Sequence, residues 1–203
     1  MTPEIAIVPT GTANLASVLA AFGRLGVTAE VSTDPEVVLE TDGVVLPGVG
    51  AFGAAIGELD RLGLRHALVS RIEHDRPTAA ICVGLQLLAQ SSAESPMARG
   101  LGVIPGHVDA LPSSVVVPQL GWNQIEVPNE ARFLNPGWAY FANSYALEEA
   151  PDGWTIATAD HGGSFIAAME HGNVLACQFH PELSGSFGLT VLDAWLTVAR
   201  EAA

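Results

Sequence analysis

The chain has 203 residues, 49% of them hydrophobic, which is enough for one sizeable core and matches the usual size of one domain. Only 15% are charged, and 8 Lys and Arg against 22 Asp and Glu give a net charge of −14. This balance argues against a polyanionic partner such as nucleic acid, and it leaves the chain poorly equipped to hold an anionic small molecule by itself.

Glu4 to Val8 predicts a strand, broken by Pro9, Thr10 and Gly11 before Leu15, Val18, Leu19, Phe22 and Leu25 recur at helical spacing. Gly26 closes that helix, Val27 to Val31 reads as a second strand, and Asp34, Pro35 and Glu36 open a short helix to Glu40. Val44 to Leu46 gives a third strand that runs into Pro47, Gly48, Val49 and Gly50. From Phe52 to Ile72 apolar residues keep mostly helical spacing, with Gly57 and Gly63 weakening the middle. Strands alternating with helices in this way predict a parallel sheet covered on both faces.

Thr78 to Ala93 carries the strongest chemical signal. The apolar run Ala79 to Cys82 is interrupted at Val83 and Gly84 and followed by Leu85, Leu87, Leu88 and Ala89, as where a buried strand turns sharply into a helix. Cys82 falls on the corner, between the small residues Ala80 and Gly84, in the manner of a nucleophile elbow. The start of a helix favours thiolate through its unpaired N–H groups and dipole. The same pattern also fits a buried structural cysteine, since free Cys is among the most buried residue types.

After Gly100 the rhythm changes. Val115 to Val117, Ile125 to Val127, Ala139 to Phe141, Thr155 to Ala159, Phe165 to Met169 and Val174 to Phe179 are short runs separated by Pro, Gly and Asn, and they predict antiparallel strands and hairpins. Leu189, Val191, Leu192, Trp195, Leu196 and Val198 predict a closing helix. No repeat or long linker divides the chain, so a single domain over 1–203 is expected. With no basic segment at the N-terminus and no apolar stretch long enough for a bilayer, neither export nor membrane insertion is expected, and Cys82 and Cys177 read as reduced cytoplasmic thiols.

Gln178, Phe179, His180, Pro181 and Glu182 follow the last apolar run. Set beside the elbow, His180 and Glu182 complete a nucleophile, base and orienter: the imidazole takes the thiol proton while the carboxylate fixes its tautomer. This pairing resembles the class I glutamine amidotransferases. More narrowly, the segments 47–53 (PGVGAFG), 100–106 (GLGVIPG), 117–123 (VPQLGWN) and 140–145 (YFANSY) resemble those of the glutaminase subunits that serve imidazole glycerol phosphate formation in histidine biosynthesis.

The resemblance implies a flavodoxin-like α/β fold: a mostly parallel central sheet flanked by helices, with additional antiparallel strands in the C-terminal half. It implies hydrolysis of glutamine to glutamate and ammonia through a thioester on Cys82, with His180 as base and acid and Glu182 as orienter. Oxyanion donors would be the backbone N–H groups of Val49 and Val83, and the glycines flanking Val49 make a peptide rotation there sterically cheap. Gly50, Gln86, Glu94, Ser144 and Tyr145 would bind substrate, with Glu94 suited to the α-ammonium. The implied partner is a (βα)8-barrel cyclase in a heterodimer, which uses the ammonia on a phosphorylated ribulosyl intermediate to form imidazole glycerol phosphate and AICAR. Asn14 and Trp122 match positions near that interface, although Trp122 fits a core equally well.

No cofactor is implied. His66 and His74 read as polar helix-face residues, His107 and His171 as turn residues, and His161 sits beside Gly162 and Gly163; no spacing suggests a metal. Cys177 reads as structural. Family members usually carry other residues where this chain has Pro9, Thr10, Gln119, Asn143 and Leu183, so a glutaminase for another acceptor, such as the pyridoxal phosphate synthase complex, and a non-catalytic regulatory relative stand as alternatives.

Overall fold

Val44, Val45 and Leu46, and next to them Ala79, Ala80 and Ile81, present apolar side chains on both faces, as central strands of a parallel sheet must. In the computed structural model, which describes residues 2–11, 14–149 and 151–203, they occupy the middle of a seven-stranded sheet. The chain runs β1 (Ile5–Ile7), α1 (Leu15–Arg24), β2 (Ala29–Val31), α2 (Pro35–Glu40), β3 (Gly43–Gly48), α3 (Phe52–Arg61), α4 (Arg65–Glu73), β4 (Thr78–Cys82) and α5 (Val83–Leu87). It continues through β5 (Ser91–Ser92), β6 (His107–Ala110), β7 (Gln119–Ile125), β8 (Gly137–Asn143), β9 (Tyr145–Ala146), β10 (Thr155–Asp160), β11 (Ser164–His171), β12 (Val174–Cys177), a 3-10 turn (Pro181–Leu183) and α6 (Gly185–Ala202).

The large sheet has the order β10-β11-β12-β4-β3-β1-β2. Its β2, β1, β3, β4 and β12 are mutually parallel, and β11 and β10 add an antiparallel edge. This is the expected α/β class, with the antiparallel strands in the C-terminal half. Helix starts follow local chemistry: the Asn14 side chain accepts from Ser17 N at 3.3 Å before α1, and Asp34 accepts from Glu36 N at 2.9 Å before α2. The closing helix packs the fully buried Trp195 edge-on to Phe22, with ring centroids 6.3 Å apart.

Several expectations need correction. The apolar stretch from Phe52 to Ile72 is two helices, because Gly63 adopts φ 70° and ends the first. Val115 to Val117 forms no strand: Val116 is exposed, and Pro112 and Pro118 on either side lack ladder donors. The Ile125 to Val127 strand lies earlier, at β7, leaving Glu126 in an isolated bridge to Thr158. Val174 to Phe179 is antiparallel only toward β11; it is parallel to β4 and ends at Cys177. His107 opens β6 and His171 closes β11 rather than lying in turns. The short β5, β6 and β9 had no periodic signal, being two to four residues long. Among the described residues no helix is long and apolar enough to cross a membrane.

One charged residue sits wholly inside. Arg71 donates from Nη1 to the carbonyls of Val38, Leu39 and Thr41 and from Nη2 to that of Pro77, at 2.7–3.1 Å. It thereby caps the C-terminal end of α2 and ties it to the start of β4. Burial lowers its pKa to about 10, with the nearby Arg76 adding to the effect. Arg71→Leu removes four charge-assisted hydrogen bonds and leaves buried carbonyls unpaired. The expected loss is about 3 kcal/mol of unfolding free energy, read as a lower urea midpoint.

Candidate active site

Cys82 ends β4 with φ 54° and ψ −110°, a positive φ on a non-glycine residue. Such strain survives only where the surroundings over-determine it. They do so here through two glycines. A Cβ on Gly84 would stand 2.0 Å from the Leu46 carbonyl oxygen, and one on Gly48 would stand 2.9 Å from Val83 Cβ. Only glycine at both positions lets the start of α5 settle against the end of β3. Gly48 is the cross-strand partner of Cys82, so Val49 follows directly beside the corner. Val83 opens α5, where backbone N–H groups lack partners within the helix.

Parallel pairing of β12 with β4 closes the gap between Cys82 and the QFHPE segment, placing Cys177 opposite Ile81. Beyond it, His180 is pinned by its backbone N–H to Tyr140 O at 2.9 Å and by Ser184 Oγ, which donates to His180 O at 2.6 Å. Its Nδ1 lies 2.8 Å from Glu182 Oε1, and both side chains are 3% exposed. Burial disfavours the charged imidazole. Hydrogen bonds with Cys82 and Glu182, together with the charges of both, outweigh this and raise its pKa to about 10. The imidazole is thus held protonated at neutral pH, with Glu182 on one nitrogen and the thiol group within reach of the ring.

A cavity of about 300 Å³ opens at Cys82, lined by Gly50, Ala51, Val83, Gln86, Glu94 and residues 142–145. Every residue that the resemblance assigned to substrate binding, Gly50, Gln86, Glu94, Ser144 and Tyr145, lines it. Glu94 Oε2 accepts from Phe52 N at 2.6 Å, so the first turn of α3 fixes that carboxylate. Gln86 is buried, and its Nε2 already donates to Tyr145 O at 3.0 Å and Gln178 Oε1 at 3.1 Å. A larger hollow of about 610 Å³ beside β2 shares no residue with this cavity and is lined by no cysteine or histidine.

Gln178, Asn143 and Ser184 also belong to this constellation, although no site role was read for them from sequence. Gln178 stood inside a recognised motif, and Asn143 was noted only as a departure from the family. Asn143 and Gln119 are cross-strand partners, both 5% exposed. Asn14 is the exposed cap of α1, and Trp122 is 55% exposed, edge-on to Tyr140 at 6.1 Å. Trp122 is therefore not a core residue. With Leu120 and Trp138 it forms an apolar outer face on the β7–β8 hairpin. Cys177 is a buried free thiol whose pKa burial drives well above the ordinary value. Among the described residues, no three His, Cys, Asp or Glu groups are placed to hold a metal.

The family model for glutamine amidotransferase class-I matches residues 8–195. The chain belongs to the class-I glutamine amidotransferase family. Among its amidotransferase relatives, the imidazole glycerol phosphate synthase subunit HisH of Methanothermobacter thermautotrophicus is 41% identical over 199 residues, covering 97% of this chain and 99% of that one. The chloroplastic imidazole glycerol phosphate synthase hisHF of Arabidopsis thaliana is 40% identical across 95% of this chain, which spans 34% of the plant protein. A solved glutamine amidotransferase structure superposes with a TM-score of 0.77 at 20% identity, covering 96% and 98% of the two chains, which shows the shared fold.

The raised His180 pKa has a direct consequence for stability. Folding lifts it from 6.5 to about 10, so its contribution is complete below about pH 6.5, declines as pH rises through that window and is lost above about 10. Glu182→Gln removes one source of the rise. The urea midpoint of this variant is expected to fall less steeply from pH 6.5 to 10 than that of the wild type, and equal slopes would contradict a charged His180.

Proposed function

We propose that this chain is a glutaminase, one domain over residues 1–203, that acts in the cytoplasm with both thiols reduced and releases ammonia to a cyclase subunit. The observation that carries the reading is the meeting of Cys82, on its positive-φ corner, with a His180 anchored on Glu182, beside a cavity of about 300 Å³ that Cys82 lines.

In this mechanism His180 already carries the proton taken from Cys82, and the thiolate Sγ attacks the Cδ carbonyl carbon of glutamine. The carbonyl π electrons move to oxygen, where the N–H groups of Val83 and Val49 stabilise the negative charge. His180 then delivers its proton to the departing nitrogen as the C–N bond breaks, giving ammonia and a γ-glutamyl thioester. Water, deprotonated by His180, attacks the thioester, and the C–S bond breaks to release glutamate and regenerate the thiol. Glu182 keeps the Nδ1 proton in place throughout, leaving the other ring nitrogen for transfer. Glu94 is the carboxylate available to the substrate ammonium, with Gly50, Gln86, Ser144 and Tyr145 forming the rest of the wall.

The partner in this reading is a (βα)8-barrel cyclase, joined in a heterodimer, that converts the ammonia and a phosphorylated ribulosyl compound into imidazole glycerol phosphate and AICAR. Two observations support it. One similar chain is named as an imidazole glycerol phosphate synthase subunit, and another, a longer protein, as imidazole glycerol phosphate synthase itself. The exposed Leu120, Trp122 and Trp138 face is the apolar, aromatic surface that partners bury.

Two measurements test this. Glutamate release should be abolished by Cys82→Ala and should rise when the cyclase is added to the wild type; absence of release in the wild-type complex would refute the enzyme reading, and indifference to the cyclase would refute the pairing. Trp122→Ala and Trp138→Ala should each weaken cyclase association by roughly tenfold or more while leaving the thermal midpoint nearly unchanged, as followed by titration calorimetry.

A further inference from the structure

Gln178 follows β12 and is completely buried. Its backbone N–H pairs with Ala167 O at 2.8 Å, while its side chain turns into the site. Nε2 lies 3.6 Å from Cys82 Sγ, and Oε1 accepts from Gln86 Nε2 at 3.1 Å. We propose that Gln178 is a further catalytic residue whose carboxamide N–H donates to the Cys82 sulfur, and that Gln86 is the positioning residue that holds Gln178 in that orientation. The proposal rests on the glutaminase reading and names a function that the triad leaves unassigned.

The orientation follows from an anchor whose polarity is fixed. A carboxamide has nearly the same shape either way round, so its neighbours decide which end faces a given atom. The Tyr145 backbone carbonyl can only accept, so the end of Gln86 that meets it is Nε2. That same nitrogen also meets Gln178, which must therefore present its oxygen to Gln86. The amide end of Gln178 is left for the sulfur. A relay thus runs from the cavity wall at Tyr145, through two carboxamides, to the nucleophile.

An N–H donor favours a sulfur that carries negative charge, as hydrogen bonds to the charged form of an acid do generally. A neutral carboxamide does this without itself titrating. The titratable groups around the thiol are His180 and Glu182 beyond β12, Cys177 on β12, Glu94 after α5, and Tyr145 on β9. β3 and α5 contribute none, and α3, which packs on α5, carries Glu58, Asp60 and Arg61, engaged in surface ion pairs that include Arg65.

The test measures the rate of iodoacetamide alkylation at Cys82 against pH, followed on the Cys82 peptide by mass spectrometry in the full-length chain. This reads the thiol without turnover, so it stands even if the glutaminase assay fails. Gln178→Met, close in volume but without a donor, should move the midpoint up by about one pH unit, a tenfold change in thiolate fraction on the rising limb. Gln86→Met should move it in the same direction by less, and the double variant should match Gln178→Met. Glutamate release should then show a lower kcat with its acidic limb displaced to higher pH. A Gln178→Met protein with a lower thermal midpoint but an unmoved alkylation curve would overturn the proposal. Should Gln178→Met not fold, an unmoved curve in Gln86→Met would do the same.

Discussion

The site depends on one close approach, that of Gly84 to the carbonyl of Leu46. With any side chain at position 84 the first turn of α5 would have to lift away from β3, and Cys82 would lose the contacts that hold its backbone at positive φ. The same approach brings the Gly48 to Gly50 strip alongside the corner, so Cys82 and the backbone around Val49 are set by one packing event. Gly48 repeats the requirement from the other side, against Val83. The local strain is held by a sheet whose central strands are entirely buried, which is where a parallel α/β fold is most rigid.

Electrostatics at the centre run against the character of the chain as a whole. The protein is strongly acidic, yet the deeply buried His180 imidazole is kept charged by local groups, Cys82 first and then Glu182, rather than by the field of the surface. Arg71 shows the complementary solution: a cation taken out of water with no carboxylate hydrogen-bonded to it, its two terminal nitrogens bonded instead to three carbonyls at the end of α2 and one before β4. Each of these two buried cations is local in cause: His180 is held by the groups of the Cys82 corner, and Arg71 holds α2 to the sheet.

What the sequence disclosed divides along physical lines. The parallel half was legible because apolar runs, caps and glycines there act locally: Asp34 and Pro35 start a helix and Gly26 ends one, whereas the break at Gly63 was read only as a weak point. Cys82, His180 and Glu182 could be grouped from sequence because the elbow and the QFHPE segment each carry a local pattern, and the β12–β4 pairing brings those two segments to one end of the sheet. The direction of β12 was not legible, since a run such as Val174 to Cys177 looks the same whichever way its neighbour runs, and only its place between β4 and β11 decides. Arg71 and Gln178 were hidden for a related reason. A lone polar residue reads as solvated until its partners are known, and those partners lie 6 to 33 residues away for Arg71 and 92 to 96 for Gln178.

The β7–β8 hairpin joins the outer apolar face to His180 over a very short path. Trp122 and Tyr140 face each other across the pair of strands, ring edge to ring face, with Trp122 half open to solvent. The backbone of Tyr140 accepts from His180 N and donates to Ser184 Oγ, and Ser184 in turn holds the His180 carbonyl. Displacing the hairpin therefore displaces His180, because both of its backbone groups are tied to this segment directly or through one hydroxyl. The opposite wall of the cavity has the same property, since Tyr145 O anchors Gln86 and Asn143 Nδ2 at 3.0 and 3.1 Å. His180 directly, and Cys82 through Gln86 and Gln178, each hang from a different end of one stretch, residues 140–145, whose other face is the exposed apolar surface of the hairpin.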